Sequence, residues 1–195
     1  MSEQVRYGRG GTYLALAKDT SSAPFGNVSD LTADLTADPN LQDTALTYIR
    51  VNTHVNTDAN HVQYTFLDEN DNEINVHYRS VTVGTNSTKL VHRNTANTQI
   101  IPTYYTSGSD GTAYASKSMT TSHIWLKNMR STSPVSRTHG YISTLHGGTN
   151  NTPYNADCGF MLTENVEPKA LKVNSTGGTI QCAIYIYHLL ANVVE

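Results

Sequence analysis

Apolar and polar residues alternate with a period of two along most of the chain beyond residue 44. The segment TALTYIRVNTHV places Leu46 and Tyr48 on one side and Ile49 and Val51 on the other. The segment HVQYTFL alternates in the same way. Because successive side chains of a strand point to opposite faces, this pattern predicts half-buried β-strands. No long helical period occurs.

The same alternation recurs in shorter segments that are separated by turn residues. These segments are TKLVHR, TQIIPTYY, SHIWLKN, HGYISTL, CGFMLT and KALKVN. Short strands spaced about 8–12 residues apart are typical of a sandwich or barrel. The sequence therefore predicts an all-β protein with one jelly-roll-like β-sandwich over residues 44–195.

The segment EINVHYRSVTV changes phase within itself. Ile74, Val76 and Tyr78 share one face, whereas Val81 and Val83 fall on the other. Since a shift of one residue exchanges the two faces of a strand, we expect a bulge or a change of sheet near Ser80. The preceding DENDN is expected to form a hairpin loop.

The run TIQCAIYIYHLL, residues 179–190, is the most apolar part of the chain. One face would carry Ile180, Cys182, Ile184 and Ile186, and the other Gln181, Ala183, Tyr185 and Tyr187. This pattern predicts a central strand. Its aliphatic face would lie in the core, and its other face would meet aromatic partners or a second subunit.

Residues 1–43 differ from the rest and are interpreted as an N-terminal arm or extension. A short strand is expected around Tyr13–Lys18. Leu31 and Leu35 are four residues apart, which predicts one short helical turn or an ordered arm. Arg and aromatic side chains dominate protein interfaces, so they are the candidate subunit contacts. The candidates are Arg6, Tyr7, Arg9, Tyr13 and Phe25, together with Tyr185 and Tyr187.

Composition agrees with a loop-rich β-protein. Only 37% of residues are hydrophobic and 15% charged, whereas the chain holds 27 Thr, 18 Asn and 16 Ser. Its 12 Tyr residues argue against disorder. The net charge is −3, and Lys and Arg are scattered singly, so we expect no sequence-specific nucleic-acid partner. No segment has the length and apolarity of a signal peptide or membrane span, so we expect cytoplasmic synthesis and no membrane partner.

The sequence nominates no catalytic residue, cofactor site or metal site. Asp68, Asn70 and Asn72 have the spacing that begins a calcium loop, but Glu73 stands where the loop needs glycine and Arg79 where it needs an acid. The histidines lack close ligand spacing. Two cysteines, Cys158 and Cys182, do not make a disulfide framework, and whether they are bridged stays open. We therefore expect a protein that is not an enzyme.

The segments HIWLKNMRSTSPVSRTHGYISTLHGG and CGFMLTENVEPKALKVNSTGGTIQCAIYIYHL carry a resemblance over roughly residues 121–190. Their order of strand, Lys-Asn turn, Gly-rich loop, Glu/Pro turn, short strand, S-x-G-G turn and apolar closing strand resembles small β-sandwich structural proteins of tailed bacteriophages. The resemblance implies a virion protein without an active site. Capsid decoration (cement) proteins fit best, as homo-oligomers that contact a major capsid protein.

Two alternatives remain open. A tail-tube, tail-completion or neck subunit would form rings, with a hairpin over residues 61–83 inserting into a neighbour or another tail protein. A carbohydrate-binding module of a fibre or spike would bind a glycan on an aromatic platform. Candidate rings for that platform are Trp125, Tyr104, Tyr105, Tyr114, Tyr141 and Tyr154.

Overall fold

Thirteen antiparallel strands form two sheets among the residues that the computed structural model describes. It describes residues 4–7, 12–21, 26–36, 46–56, 61–83, 89–102, 119–127, 137–147, 153–164 and 166–190. The strands are β1 (Gln4–Tyr7), β2 (Thr12–Ser21), β3 (Asp30–Asp34), β4 (Leu46–Val55), β5 (Val62–Leu67), β6 (Val76–Val83), β7 (Lys89–Asn97), β8 (Gln99–Ile100), β9 (Met119–Lys127), β10 (His139–Gly147), β11 (Pro153–Leu162), β12 (Ala170–Ser175) and β13 (Ile180–Leu190). None of the described residues forms a helix long and apolar enough to cross a membrane.

The larger sheet has nine strands in the order β1-β2-β13-β4-β9-β10-β11-β6-β7, and the smaller has four in the order β3-β12-β5-β8. Side chains from the facing sides of the two sheets build one core. It includes Ile49, Ile124 and Ile142 from the larger sheet and Phe66 and Leu171 from the smaller one, all at most 1% exposed. The predicted all-β sandwich is confirmed.

The closing run is the central strand that the alternation predicts. Strand β13 pairs with β2 on one side and with β4 on the other. Its four aliphatic-face residues, Ile180, Cys182, Ile184 and Ile186, are at most 1% exposed. Ala183 on the opposite face is also buried, whereas Gln181, Tyr185 and Tyr187 are half-buried.

Part of the core is polar. The Tyr64 hydroxyl donates to Ser122 Oγ at 2.6 Å, and Ser122 Oγ lies 2.8 Å from Thr144 Oγ1. All three residues are buried. Buried hydroxyls are costly unless they are hydrogen-bonded. These hydrogen bonds between three hydroxyls therefore stabilise the contact of β5 in the smaller sheet with β9 and β10 in the larger one.

Residues 1–43, predicted as an arm, contribute strands to both sheets. Strands β1 and β2 lie at one edge of the larger sheet, and β3 lies at one edge of the smaller sheet, paired with β12. The strand expected around Tyr13–Lys18 is confirmed within β2. The helical turn expected at Leu31 and Leu35 is wrong. Residues 30–34 form a strand that pairs with β12. Thr and Asp are poor helix formers, so their intrinsic preference does not oppose this strand.

The bulge predicted near Ser80 is also wrong. Strand β6 pairs with β11 in unbroken register from Val76 to Val83. Ser80 simply continues the inward face and is 1% exposed, while Val81 points outward and is half-buried. The register shift lies instead between Val76 and Tyr78, on the side that faces β7.

The segment over residues 61–83 is not a free hairpin. Its first strand, β5, belongs to the smaller sheet, and its second, β6, to the larger one. Contact across the turn is limited to its base, where Leu67 and Glu73 form an isolated bridge. There the Ile74 amide donates to the Phe66 carbonyl and the Asp68 amide to the Asn72 carbonyl, both at 2.9 Å. All six residues of β5 are buried, so this segment is part of the core that joins the sheets.

The two cysteines are free and buried. Cys158 lies on β11 and Cys182 on β13, and β10, β9 and β4 stand between them in the sheet. At about 4.8 Å per strand spacing, the separation across the strands alone is roughly 19 Å, far beyond the reach of a disulfide.

Candidate interaction surface on the larger sheet

The outward-facing residues of the larger sheet form rows across its strands. The alternation of each strand sends every second side chain to this side, and the register aligns them. One row runs Tyr187, Tyr48, Trp125, Tyr141, Gly159 and Arg79 over β13, β4, β9, β10, β11 and β6. The next row contains Tyr185, Arg50, His123, Ser143 and Asp157. We call this side of the sheet the outer face.

Tyr48 is the centre of an aromatic stack on the outer face. Its ring centroid lies 4.3 Å from that of Trp125 and 5.5 Å from that of Tyr187. Its hydroxyl lies 2.5 Å from His123 Nδ1. The Tyr48 ring plane is inclined by 31° to that of Trp125 and by 30° to that of Tyr187. Since β13 and β9 flank β4, the Tyr48 ring lies between the rings of Tyr187 and Trp125.

A cation lies beside this stack. Arg50 Cζ is 4.7 Å from the centroid of the Tyr185 ring, which is the geometry of a cation–π contact. Arg79 in the middle of β6 and Lys127 at the end of β9 are exposed on the same face. Asp157 is the one carboxylate on this face among the described side chains. Burial, and after it the neighbouring Asp157 carboxylate, raises the pKa of Tyr141 to about 12.

Large apolar side chains on the outer face are open to solvent. Met119 is 72% exposed, Leu145 55%, Tyr141 43% and Met161 40%. They lie on three adjacent strands, β9, β10 and β11. Met161 aligns with His139 and lies at one end of these strands, whereas Leu145 and Met119 lie towards the other end, so the exposed apolar residues flank the aromatic row. Aromatic residues, Met and Arg are enriched at protein interfaces.

Carboxylates gather at a different place, where β3 ends and β5 turns into β6. Asp34, Asp68, Glu69 and Asp71, with Lys169, line a recess of about 550 Å3. Asp68 Oδ2 accepts the side-chain amide of Asn72 at 3.0 Å, and Asp68 Oδ1 accepts the backbone amides of Asn72 and Asn70, both at 2.8 Å. These hydrogen bonds lower the pKa of Asp68. This carboxylate organises the turn itself. We call this region the acidic end.

Two ion pairs border the acidic end. Lys172 Nζ lies 2.6 Å from Glu73, and Lys169 Nζ lies 2.9 Å from Glu167. Within the described part of the chain no group of three or more His, Cys, Asp or Glu side chains is arranged to hold a metal ion.

The seven candidate contact residues are distributed over two places. Tyr185 and Tyr187 lie on the outer face. Arg6 and Tyr7 lie in β1 and Tyr13 in β2, where Arg6 and Tyr13 are register partners. Arg9 and Phe25 lie outside the described residues. Of the rings considered for a glycan platform, Trp125 and Tyr141 share one row, Tyr154 is in β11, and Tyr104, Tyr105 and Tyr114 lie outside the described residues.

The sequence did not nominate Tyr48, Arg50, Met119 or Leu145. Their outward positions follow from the alternation of β4, β9 and β10. Their alignment in neighbouring rows depends on strand order, which the alternation does not contain.

No model of a known protein family matches the chain, and no curated protein sequence matches it. The resemblance to phage structural proteins therefore depends on the segments within residues 121–190 alone.

Proposed function

We propose that this chain is a non-enzymatic structural subunit of a virus particle, made in the host cytoplasm, that joins neighbouring subunits through the outer face. Capsid decoration is the specific role that we favour, with homo-oligomer contacts and contacts to a major capsid protein. The observation that carries the proposal is the row of stacked aromatic residues bordered by exposed Met119, Leu145 and Met161.

The outer face suits a protein partner better than a sugar. A sugar ring stacks on a free aromatic face, whereas the Tyr48 ring lies between the rings of Trp125 and Tyr187, with centroids at 4.3 and 5.5 Å. A rigid stack with flexible Met and Leu side chains around it can pack against the side chains of another protein. A glycan site would be confined to Tyr141 and the open backbone at Gly159.

The tail-tube alternative is less well supported. It requires the segment 61–83 to extend into a neighbour, but β5 within that segment is buried between the sheets. Withdrawing it would expose Tyr64 and Phe66, each 1% exposed, at a cost of about 1.5–3 kcal/mol per large side chain.

A substitution on the outer face tests the proposal. We expect the purified wild-type chain to form a discrete oligomer in light scattering and negative-stain images. Leu145→Glu should give a monomer, because it places a carboxylate in an apolar contact and buried unpaired charge is costly. Ser29→Glu is the matched control, since Ser29 is exposed and lies away from the larger sheet's outer face.

The proposal predicts that Ser29→Glu keeps the wild-type mass and that both variants keep the wild-type β-sheet circular dichroism. A wild-type chain that stays monomeric at every concentration would contradict it, as would a Leu145→Glu oligomer of unchanged mass. Saturable binding of a glycan array that Tyr141→Ala abolishes would instead favour the carbohydrate-binding function.

A further inference from the structure

Charge is distributed unevenly over the described residues. The outer face carries Arg50, Arg79 and Lys127 against the single carboxylate of Asp157. Among the residues whose side chains are described, eight other carboxylates lie in the smaller sheet or in the loops at its ends: Asp30, Asp34, Asp68, Glu69, Asp71, Glu73, Glu164 and Glu167. Asp19 of β2 is the register partner of Tyr185 in the larger sheet. Among the described side chains, the outer face therefore carries more positive than negative groups, although the whole chain has a net charge of −3.

The lysines near the acidic end form ion pairs, whereas exposed cations of the outer face form none among the described residues. Lys169 and Lys172 are paired with carboxylates beside them, at 2.9 Å and 2.6 Å. Arg79 and Lys127 are exposed and have no ion pair within the described residues. Glu69 and Asp71 at the acidic end likewise have no cation paired with them there. The unpaired positive and negative charges are thus on separate surfaces of one molecule.

The two surfaces also differ in shape. The acidic end is concave, with a recess of about 550 Å3 lined by Asp34, Asp68, Glu69 and Asp71. Arg79 and Lys127 project from a sheet. Long flexible cations can reach into such a recess while the apolar side chains beside them, Met161 and Tyr141, are covered.

We infer that the outer face docks the acidic end of a second copy of this chain, so that subunits join head to tail. The contact is heterologous, since two different patches meet, and it generates a closed ring or an open chain. This inference rests on the proposed function, because it names the partner surface of the same outer face. The opposite charges would steer the encounter and exclude a face-to-face dimer, in which basic side chains would oppose each other.

Charge reversal on each surface tests the inference. The first variant is Arg79→Glu with Lys127→Glu on the outer face. The second is Glu69→Lys with Asp71→Asn at the acidic end. Asp71 has a φ of 62°, and Asn tolerates this left-handed conformation well. Asp30→Lys, which reverses an exposed acid at the opposite end of β3, is the control.

We expect each variant alone to weaken self-association about tenfold or more, since like charges then face each other across the contact. The same substitutions combined in one chain should restore association, and so should an equimolar mixture of the two variants. The control should associate like the wild type, and high salt should weaken the wild-type contact.

The outcomes separate this inference from the proposed function. If the wild type forms an oligomer that the outer-face variant disrupts but the acidic-end variant leaves intact, the outer face binds something other than the acidic end and head-to-tail docking is wrong. Failure of the combined variant to associate, with its fold intact by circular dichroism, would also overturn it. A wild-type monomer would contradict the proposed function itself.

Discussion

Burial determines the chemistry of single side chains in this sandwich. The thiols of Cys158 and Cys182 point into the core, and burial raises the pKa of each to about 12. Thr53 Oγ1 lies 3.9 Å from Cys182 Sγ, so that thiol has a weak partner as well. The two cysteines therefore act as small apolar core residues.

The thiols are expected to be unreactive in the folded protein. With a pKa of about 12, roughly one thiol in ten thousand is ionised at pH 8, and the thiolate is the reactive form. Ellman's reagent should find two thiols in the unfolded chain and almost none in the native one over the same time. Rapid reaction of either thiol in the native protein would contradict the burial. Failure to detect the two thiols in the unfolded chain without a reductant would contradict the assignment of both cysteines as free.

Glu73 provides a pH-dependent link between the β5–β6 turn and β12. The Lys172 ammonium and the Thr98 hydroxyl hold its pKa below the ordinary 4.5. A lowered pKa means that the charged carboxylate stabilises the folded state. This contribution is complete above about pH 4.5 and is lost as the pH falls through the lower folded value.

Glu73→Gln should therefore lower the Tm slightly at pH 7 and make no difference at strongly acidic pH. A surface ion pair contributes at most about 1 kcal/mol, so the expected change is about 2–4 °C. Glu69→Gln, on the same exposed turn but without an ion pair in the described residues, is the control. Differential scanning calorimetry across pH measures both, and a Tm difference that grows towards acid would contradict the assignment.

At the scale of elements, close packing of β10 on its neighbours depends on one glycine. A Cβ on Gly140 would lie 2.3 Å from the carbonyl oxygen of Trp125 and 2.6 Å from the ring of Phe160. On the next strand, a Cβ on Gly159 would have nothing within 4 Å. The two glycines sit in paired strands of the same sheet and form a matched comparison.

Gly140→Ala should destabilise the fold by about 3 kcal/mol, because backbone atoms must move to relieve the overlap. Gly159→Ala should change the free energy of unfolding by no more than about 0.5 kcal/mol, since it points into open space. Urea denaturation of both variants measures the difference. Equal effects would mean that Phe160 does not pack over β10.

The strands could be predicted from the sequence because the alternation of apolar and polar residues is a local pattern. The pairing of each strand with its neighbours could not be predicted, because it depends on residues far apart in the sequence. Ile49 and Ile184 have inward positions that follow from their own segments. That Tyr48 lies between Tyr187 and Trp125 depends on β13 and β9 flanking β4, which the sequence does not state. The spacing of Leu31 and Leu35 fits a helix as well as a strand, and the pairing of residues 30–34 with β12 makes this segment a strand.

The change in the alternation of apolar residues beyond Tyr78 led to a wrong prediction for a related reason. It suggested a bulge, because Val81 and Val83 are apolar. The regular pairing with β11 instead places small, polar Ser80 inward. Hydrophobicity therefore predicted the wrong inward residue where tertiary pairing fixed the register.

At the scale of the whole molecule, the proposed function depends on the difference in size between the two sheets. A sheet of nine strands faces one of four, and the far side of the larger sheet holds stacked rings and exposed apolar side chains. The interface composition of that side could be recognised only after the fold was known. Before that, Arg and aromatic residues near the N-terminus were the natural candidates, and their role as contacts stays a prediction.

Methionine oxidation tests the central claim, contact through the outer face, most directly. Met119 and Met161 are 72% and 40% exposed on that face, and exposed thioethers oxidise readily to sulfoxides. Their oxidation by peroxide would be measured by peptide mass spectrometry in assembled protein and in protein diluted to monomer, with the unfolded chain as reference. We predict that both residues oxidise several-fold more slowly in the assembly. Equal rates in the two states would show that the outer face stays open to solvent and would contradict the account.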